Sequence, residues 1–247
     1  RRIGAPADIL RITGNMKFDY HLEVAPEKRR LQEQIEDALR RGPESRIWLC
    51  GSTKPNEEEL IAAIFSNLKK DFPLLALLIA PRHPHRGEEV EGIFRDRGLR
   101  TLRRSMMKPE ADYSFQGLDV LVLDTVGELA SLYQIPDVVF MGGSLVPTGG
   151  QNVIEPAFFG RPILFGPSMT NFREIAEIFK ARDAAIQVRT PEELEASLRR
   201  LLPDASERDR LGRNARMVME DNRGAVDRNM AIIESIVNLR VPPDLHN

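Results

Sequence analysis

Asp119-Val120-Leu121-Val122-Leu123-Asp124 is an apolar block bounded by aspartates, and Asp137-Val138-Val139-Phe140-Met141 repeats the form after a short helical stretch at 127–133. Apolar runs of this length, free of alternation, read as strands buried on both faces of a sheet. Outward from them the alternation continues. Strands are expected at 46–51, 74–80, 99–102, 162–165 and 184–188, with helices at 57–70, 87–97, 152–159 and 171–179. Strand–helix alternation of this kind predicts an α/β fold, a Rossmann-like parallel sheet with helices on both faces. From Pro191 the pattern is helical to the end: a start at Thr190-Pro191-Glu192-Glu193, a helix at 206–221 and another at 224–239. A connector containing Thr13-Gly14-Asn15 feeds a helix at 28–41.

The 247 residues carry 35 Lys+Arg and 37 Asp+Glu, a net charge of −2, with 42% apolar and 29% charged residues. That composition excludes wholesale disorder, and the charge balance argues against nucleic acid as a partner. The single cysteine, Cys50, excludes a disulfide framework and a cysteine-rich metal site. No apolar run approaches the roughly 18 residues of a membrane span. The chain opens Arg1-Arg2-Ile3-Gly4-Ala5-Pro6 without a signal-peptide pattern and reads as the interior of a longer protein.

Chemistry is expected at the carboxyl ends of the strands, where doubly wound sheets bind ligands. The densest candidate is the loop from Met141 to Pro156. Gly142, Gly143, Gly149 and Gly150 leave room for a ligand against the backbone, and the helix expected from Asn152 offers free N–H groups. Glu155, one turn in, could receive ribose hydroxyls with the phosphate at the helix start, and the backbone of Gly142, Gly143 and Ser144 is assigned to the phosphate side. After the first strand, Ser52 and Thr53 line the same edge or cap the following helix. After the second, Arg82 and His83 form an anion-facing cluster with His85 and Arg86, or a plain solvated loop. A metal on His83 and His85 lacks a third ligand and is set aside. Thr170 or Asn171 is expected to cap a helix. The basic residues Arg95, Arg97, Arg100, Arg103, Arg104 and Lys108 read as a solvated face, with a membrane or partner contact as the alternative. Met106, Met107, Met217 and Met219 read as core fillers.

These motifs, in order, resemble those of the 3-deoxy-D-manno-octulosonic acid (Kdo) transferases. The resemblance rests on Thr13-Gly14-Asn15 with Lys17-Phe18-Asp19, Gly51-Ser52-Thr53, Pro81-Arg82-His83-Pro84, Asp124-Thr125 with Gly127-Glu128-Leu129, Gly142 to Pro147, Gly149 to Asn152 with Glu155-Pro156, and Gly166-Pro167 through Asn171-Phe172-Arg173-Glu174. It implies the C-terminal, donor-binding half of a GT-B glycosyltransferase. The donor would be CMP-Kdo and the acceptor a lipid A precursor held by a preceding domain that also carries the catalytic base. No metal or cofactor is implied. Residues 1–45 would be connector and first helix, 46–223 the donor domain, and 224–247 a helix and tail crossing back. The full-length enzyme would be anchored at the cytoplasmic face of the bacterial inner membrane; this piece alone would be soluble and inactive. Lys54 and Gln151 depart from the histidines common at those positions. The competing expectations are a GT-B transferase using another nucleotide sugar, and an interaction module that keeps the fold without a working cleft. On the last helix, Val226, Met230, Ile233 and Val237 form one apolar stripe, part of which is expected to stay exposed.

Overall fold

The computed structural model describes residues 6, 9–107 and 117–238. Seven strands, β1 (Arg46–Thr53), β2 (Leu75–Pro81), β3 (Thr101–Arg103), β4 (Val120–Val122), β5 (Val138–Met141), β6 (Ile163–Phe165) and β7 (Ile186–Gln187), form one sheet in the order β3-β4-β2-β1-β5-β6-β7. Every neighbouring pair is parallel. The chain leaves β1 toward β2 on one side and returns to β5 on the other, so the order reverses between β1 and β5.

Alternate residues of each strand enter opposite cores, as a pleated sheet dictates. Ile47, Leu49, Leu78, Leu121, Val139 and Phe165 face one way, against helices α1 (Pro26–Leu39), α4 (Leu129–Leu132), α5 (Ile154–Phe158) and α6 (Arg173–Ala181). Trp48, Cys50, Leu77, Val122, Phe140 and Leu164 face the other, against α2 (Glu57–Asp71), α3 (Gly87–Arg95) and α7 (Pro191–Leu201). Helix α8 (Ala205–Asp221) serves both cores through Leu211 on one side and Ala215 and Val218 on the other. Leu31, Ile35 and Leu39 place α1 within the first core, so this helix packs as part of the sheet domain.

The helix starts follow their caps. Thr190 Oγ1 accepts from Glu193 N as expected, and Asp204 caps α8, which starts at Ala205, one residue before the expected start. Element ends differ from the sequence expectation by one or two residues at many places, α1 starting at Pro26 and not at residue 28 among them. Strand β1 runs on to Thr53 through a register shift at Ser52, whose φ is 56°. Strand β3 begins at Thr101 and not Leu99; the helix expected from Asn152 begins at Ile154. The segment 170–172 is a 3₁₀ turn with no side-chain cap from Thr170 or Asn171. Of the four methionines taken as core, Met107 and Met219 are buried but Met106 and Met217 are exposed.

Helix α9 (Ala225–Asn238) leaves its stripe open: Val226 is 41% exposed, Met230 48%, Ile233 52% and Val237 52%. Its attachment is at its first turn, where Ala225 is buried and the Asp19 carboxylate accepts from Gly224 N (2.5 Å) and Val226 N (2.7 Å). Lys108 and the tail beyond 238 lie outside the described residues.

Candidate functional site

The site forms where the loops after β1 and β5 meet at the reversal point. Gly142 follows β5 and runs so close to β1 that a Cβ there would lie 2.6 Å from Thr53 Cα and 2.8 Å from Ser52 O. Only glycine permits this approach. Gly143 turns away with φ 64°, and its cradle is edged by Lys54 Cγ, Gln151 Nε2 and Thr148 Oγ1. The two positions that depart from the resembled pattern, Lys54 and Gln151, therefore meet over one glycine.

The amides expected to face a phosphate are taken up within the chain. Glu57, fully buried at the start of α2, accepts from Gly143 N (2.6 Å), Ser144 N (3.1 Å), Leu145 N (3.0 Å) and Lys54 N (3.2 Å). Gly142 N donates to Gly51 O at 2.8 Å. The backbone of Gly142, Gly143 and Ser144 therefore binds a carboxylate of the protein itself, and its expected phosphate role is corrected. Burial pushes the Glu57 carboxyl above its usual range, opposed by those four amides. Donors at both oxygens call for the carboxylate form. The far side of the loop is clasped as well. Ser144 Oγ accepts from Gly166 N (2.8 Å), Gly149 N donates to Ser168 Oγ (2.9 Å), Gly150 N to Gly143 O (2.8 Å), and Asn171 N to Gly149 O (3.0 Å). Asn171 thus secures the glycine loop where a helix cap was expected.

Thr53 is also corrected: it is fully buried and donates to Glu58 Oε1 at 3.0 Å, so it does not line the cleft. Ser52 remains partly exposed, and the helix cap position is Asn56, not Ser52 or Thr53. Arg86 splits from its neighbours and joins the interior, bonding Glu58 Oε1 at 2.8 Å and both oxygens of Glu89. Arg82 and His83 stay at the exposed edge. His83 stacks on His85 with centroids 5.7 Å apart, and its Nε2 lies 3.4 Å from Lys54 Nζ. Desolvation and then the Lys54 ammonium lower the His83 pKa. No carboxylate pairs with Lys54, Arg82, His83 or His85 among the described residues. Lys54 and Arg82, two cations without a carboxylate partner at one strand end, suit an anionic ligand.

Glu155 stands half-buried in the first turn of α5, its carboxyl pushed up by burial and eased by a hydrogen bond from Asn152. Asn152 Oδ1 accepts from Ile154 N at 3.2 Å, a turn bond one residue ahead of the helix cap position, which Val153 holds where Asn152 was expected. The amides of Gln151, Asn152 and Val153 have no acceptor among the described residues. Tyr20 comes from the connector: burial and then Glu155 push its hydroxyl up to about 12, and its ring meets Phe158 edge-on at 5.4 Å. The connector thus walls the Glu155 side of the site, which the strand-end reading had no means of finding.

Other sequence candidates resolve structurally. Asp124 accepts from Ser105 N and Oγ, and Glu128 from Thr125 and Arg104, so that turn binds the strand β3 end. Arg95 and Arg103 pair with Glu91, Arg100 with Asp119 and Arg104 with Glu128, so these four cations are engaged within the chain. Among the described residues no group of three potential ligands could hold a metal. A separate cavity of about 1140 Å³ lies near the opposite sheet edge, bounded by the connector, α1, Gln134 and Arg161.

No protein-family model matches the chain. The 3-deoxy-D-manno-octulosonic acid transferase of Haemophilus influenzae is 32% identical over 240 residues, 97% of this chain and 54% of that protein. That of Rickettsia conorii is 30% identical over 223 residues, 89% of this chain and 46% of that protein. The chain thus spans about half the length of the curated relatives it matches. The crystal structure of the C-terminal CMP-Kdo binding domain of WaaA from Acinetobacter baumannii is similar with a TM-score of 0.69 and 27% identity, over 78% of this chain and 96% of that one. Anabaena Alr3699/HepE in complex with UDP-glucose shares the fold, with a TM-score of 0.57 and 14% identity over 87% of this chain and 54% of that one.

Proposed function

The chain belongs to the 3-deoxy-D-manno-octulosonic acid transferase family, and from that premise we propose that it is the half of such an enzyme that holds the donor, CMP-Kdo. The observation that carries the proposal is the likeness to a domain described as binding CMP-Kdo, over 96% of that domain. The site chemistry supports it. A nucleotide sugar of this kind brings one phosphate, one sugar carboxylate and a ribose, and the reversal point brings unpaired cations beside a half-buried carboxylate.

In this reading Glu155 receives the ribose hydroxyls, while Arg82, His83 and Lys54 face the phosphate or the Kdo carboxylate, joined by the unpaired amides of Gln151 and Asn152. Ser52 lines the cleft; Gly149 and Gly150 shape the loop. An acceptor hydroxyl attacks the anomeric carbon of Kdo, the bond to the phosphate oxygen breaks, and CMP departs with its charge held by the cations. The acceptor, a lipid A precursor, and the base that takes its proton would be supplied by a preceding domain. The full-length protein would work at the cytoplasmic face of the inner membrane. Among the described residues no helix is long and apolar enough to cross a membrane.

Isothermal titration with CMP, UMP and UDP tests the donor assignment. Tighter binding of CMP is expected. Preference for UDP would point to another nucleotide sugar, and absence of nucleotide binding would favour an interaction module.

A further inference from the structure

Glu57 sits on the first turn of a helix, yet it has no water contact and no cationic partner. What it has is backbone: three consecutive amides of the β5 loop and one from its own β1–α2 turn. The strands bearing these two loops are the pair between which the sheet order reverses. We infer that Glu57 is a positioning residue for the donor site: its carboxylate occupies the anion cradle of the glycine loop and so locks that loop against the β1–α2 turn. The inference rests on the proposed donor reading and adds what sets its geometry.

Two consequences follow from where the carboxylate lies. A ligand anion is excluded from the amides of residues 143–145, since a second negative charge there would meet a buried one without a counterion. It is directed outward, to the Lys54–His83 edge. Lys54 is placed by the same clamp, because its own amide is one of the four donors. The close passage of Gly142 over Thr53 is a separate, steric contact between the two loops, so losing the carboxylate loosens the loop without detaching it.

The test pairs Glu57→Gln with the wild-type chain. Glutamine keeps the shape, but its Nε2 is a donor facing N–H donors, so the clamp opens on one side. Hydrogen exchange is read on peptides covering 141–150 and on β1 and β2, and CMP affinity is read by titration. Faster exchange at 143–145, with the strands still protected and the CMP dissociation constant raised roughly tenfold or more, is the expected result. Glu57→Ala should show the same losses, and added formate should recover CMP affinity by refilling the cradle where chloride at equal concentration does not. Faster loop exchange with unchanged CMP affinity would reduce Glu57 to a structural clamp and overturn the inference. If Glu57→Gln does not fold, Glu57→Asp, which draws the carboxylate back by one methylene, is read in the same assays against the same criteria. Failure of the wild-type chain to bind CMP would instead overturn the donor reading, and the positioning role with it.

Discussion

Replacing Asp19 by alanine should free helix α9 while leaving the sheet intact. The carboxylate spans the start of that helix, with Oδ1 on Gly224 N at 2.5 Å and Oδ2 on Val226 N at 2.7 Å. Beyond the first turn α9 has little to hold it, since Val226, Met230, Ile233, Ile236 and Val237 are all exposed. Arg228 adds one strut, from Nε to Thr13 O at 2.8 Å. The loss is that of a good helix cap, about 0.5–2 kcal/mol, toward the upper end because two amides and a full charge are involved, and held there by the site's access to water. About 1.4 kcal/mol is a tenfold change in the local opening constant.

Hydrogen exchange should therefore rise roughly tenfold in peptides from α9 and stay unchanged in β1, β2 and β5. Asp19→Asn, which keeps one acceptor, should fall between. The wild-type chain should show the same effect with acid. The Val226 and Gly224 amides hold the Asp19 carboxyl below its ordinary 3.8. Its contribution is then complete above pH 3.8 and is lost as pH falls through the lower folded value. Equal deprotection of α9 and the sheet in Asp19→Ala, or none in either, would refute the argument that this cap acts locally.

Three further outcomes are expected. Glu155→Ala should raise the CMP dissociation constant at least tenfold, since each charge-assisted bond to a ribose hydroxyl is worth about 1.5–3 kcal/mol, with the melting temperature kept; unchanged affinity by titration would remove Glu155 from the site. Arg86→Ala should cost about 3–5 kcal/mol in urea unfolding, because it strands the Glu58 carboxylate, which is fully buried, without its cation. Gly212→Ala should cost about 1–3 kcal/mol by the same measurement, since a Cβ there would lie 2.1 Å from Gly160 O where α8 crosses the end of α5.

The fold was legible wherever a strand is covered on both faces. At 119–124 and 137–141 every interior residue is apolar, and the sheet leaves no polar face to break the run. Legibility fell where hydrogen bonding and not burial sets the boundary. Strand β3 has three residues, all half-exposed, and pairs with β4 alone. Its register follows from where Asp119 and Arg100 meet, a contact between segments 19 residues apart. Segment 170–172 had the composition of a helix cap, but the Asn171 amide bonds Gly149 O and its side chain bonds Thr148 O. Met106 and Met217 show the same limit, because methionine composition carries no direction.

The site was half legible, for a reason that lies in α2. The glycine loop was correctly read as a cradle for an anion; the occupant was misjudged because the nearest carboxylate comes from a different strand–helix unit. Glu57, Glu58 and Glu59 look like three acids complementing a helix start, an ordinary surface pattern. The buried face of α2 nevertheless runs through Ile61, Ala62, Phe65 and Leu68, and stepping back four residues from Ile61 and Ala62 lands on Glu57 and Glu58. Helical period alone thus puts two of the three acids inside and Glu59 outside, as the structure has them. A buried acid must find donors or a cation, and the segments able to supply either are limited. Glu58 takes Thr53 and Arg86, which removes both from the cleft; Glu57 takes the glycine-loop amides, which leaves Lys54, Arg82 and His83 at the rim. The two corrections to the sequence reading therefore share one cause, and the same two acids that withdraw Thr53 and the loop amides leave the site's unpaired cations free for a ligand.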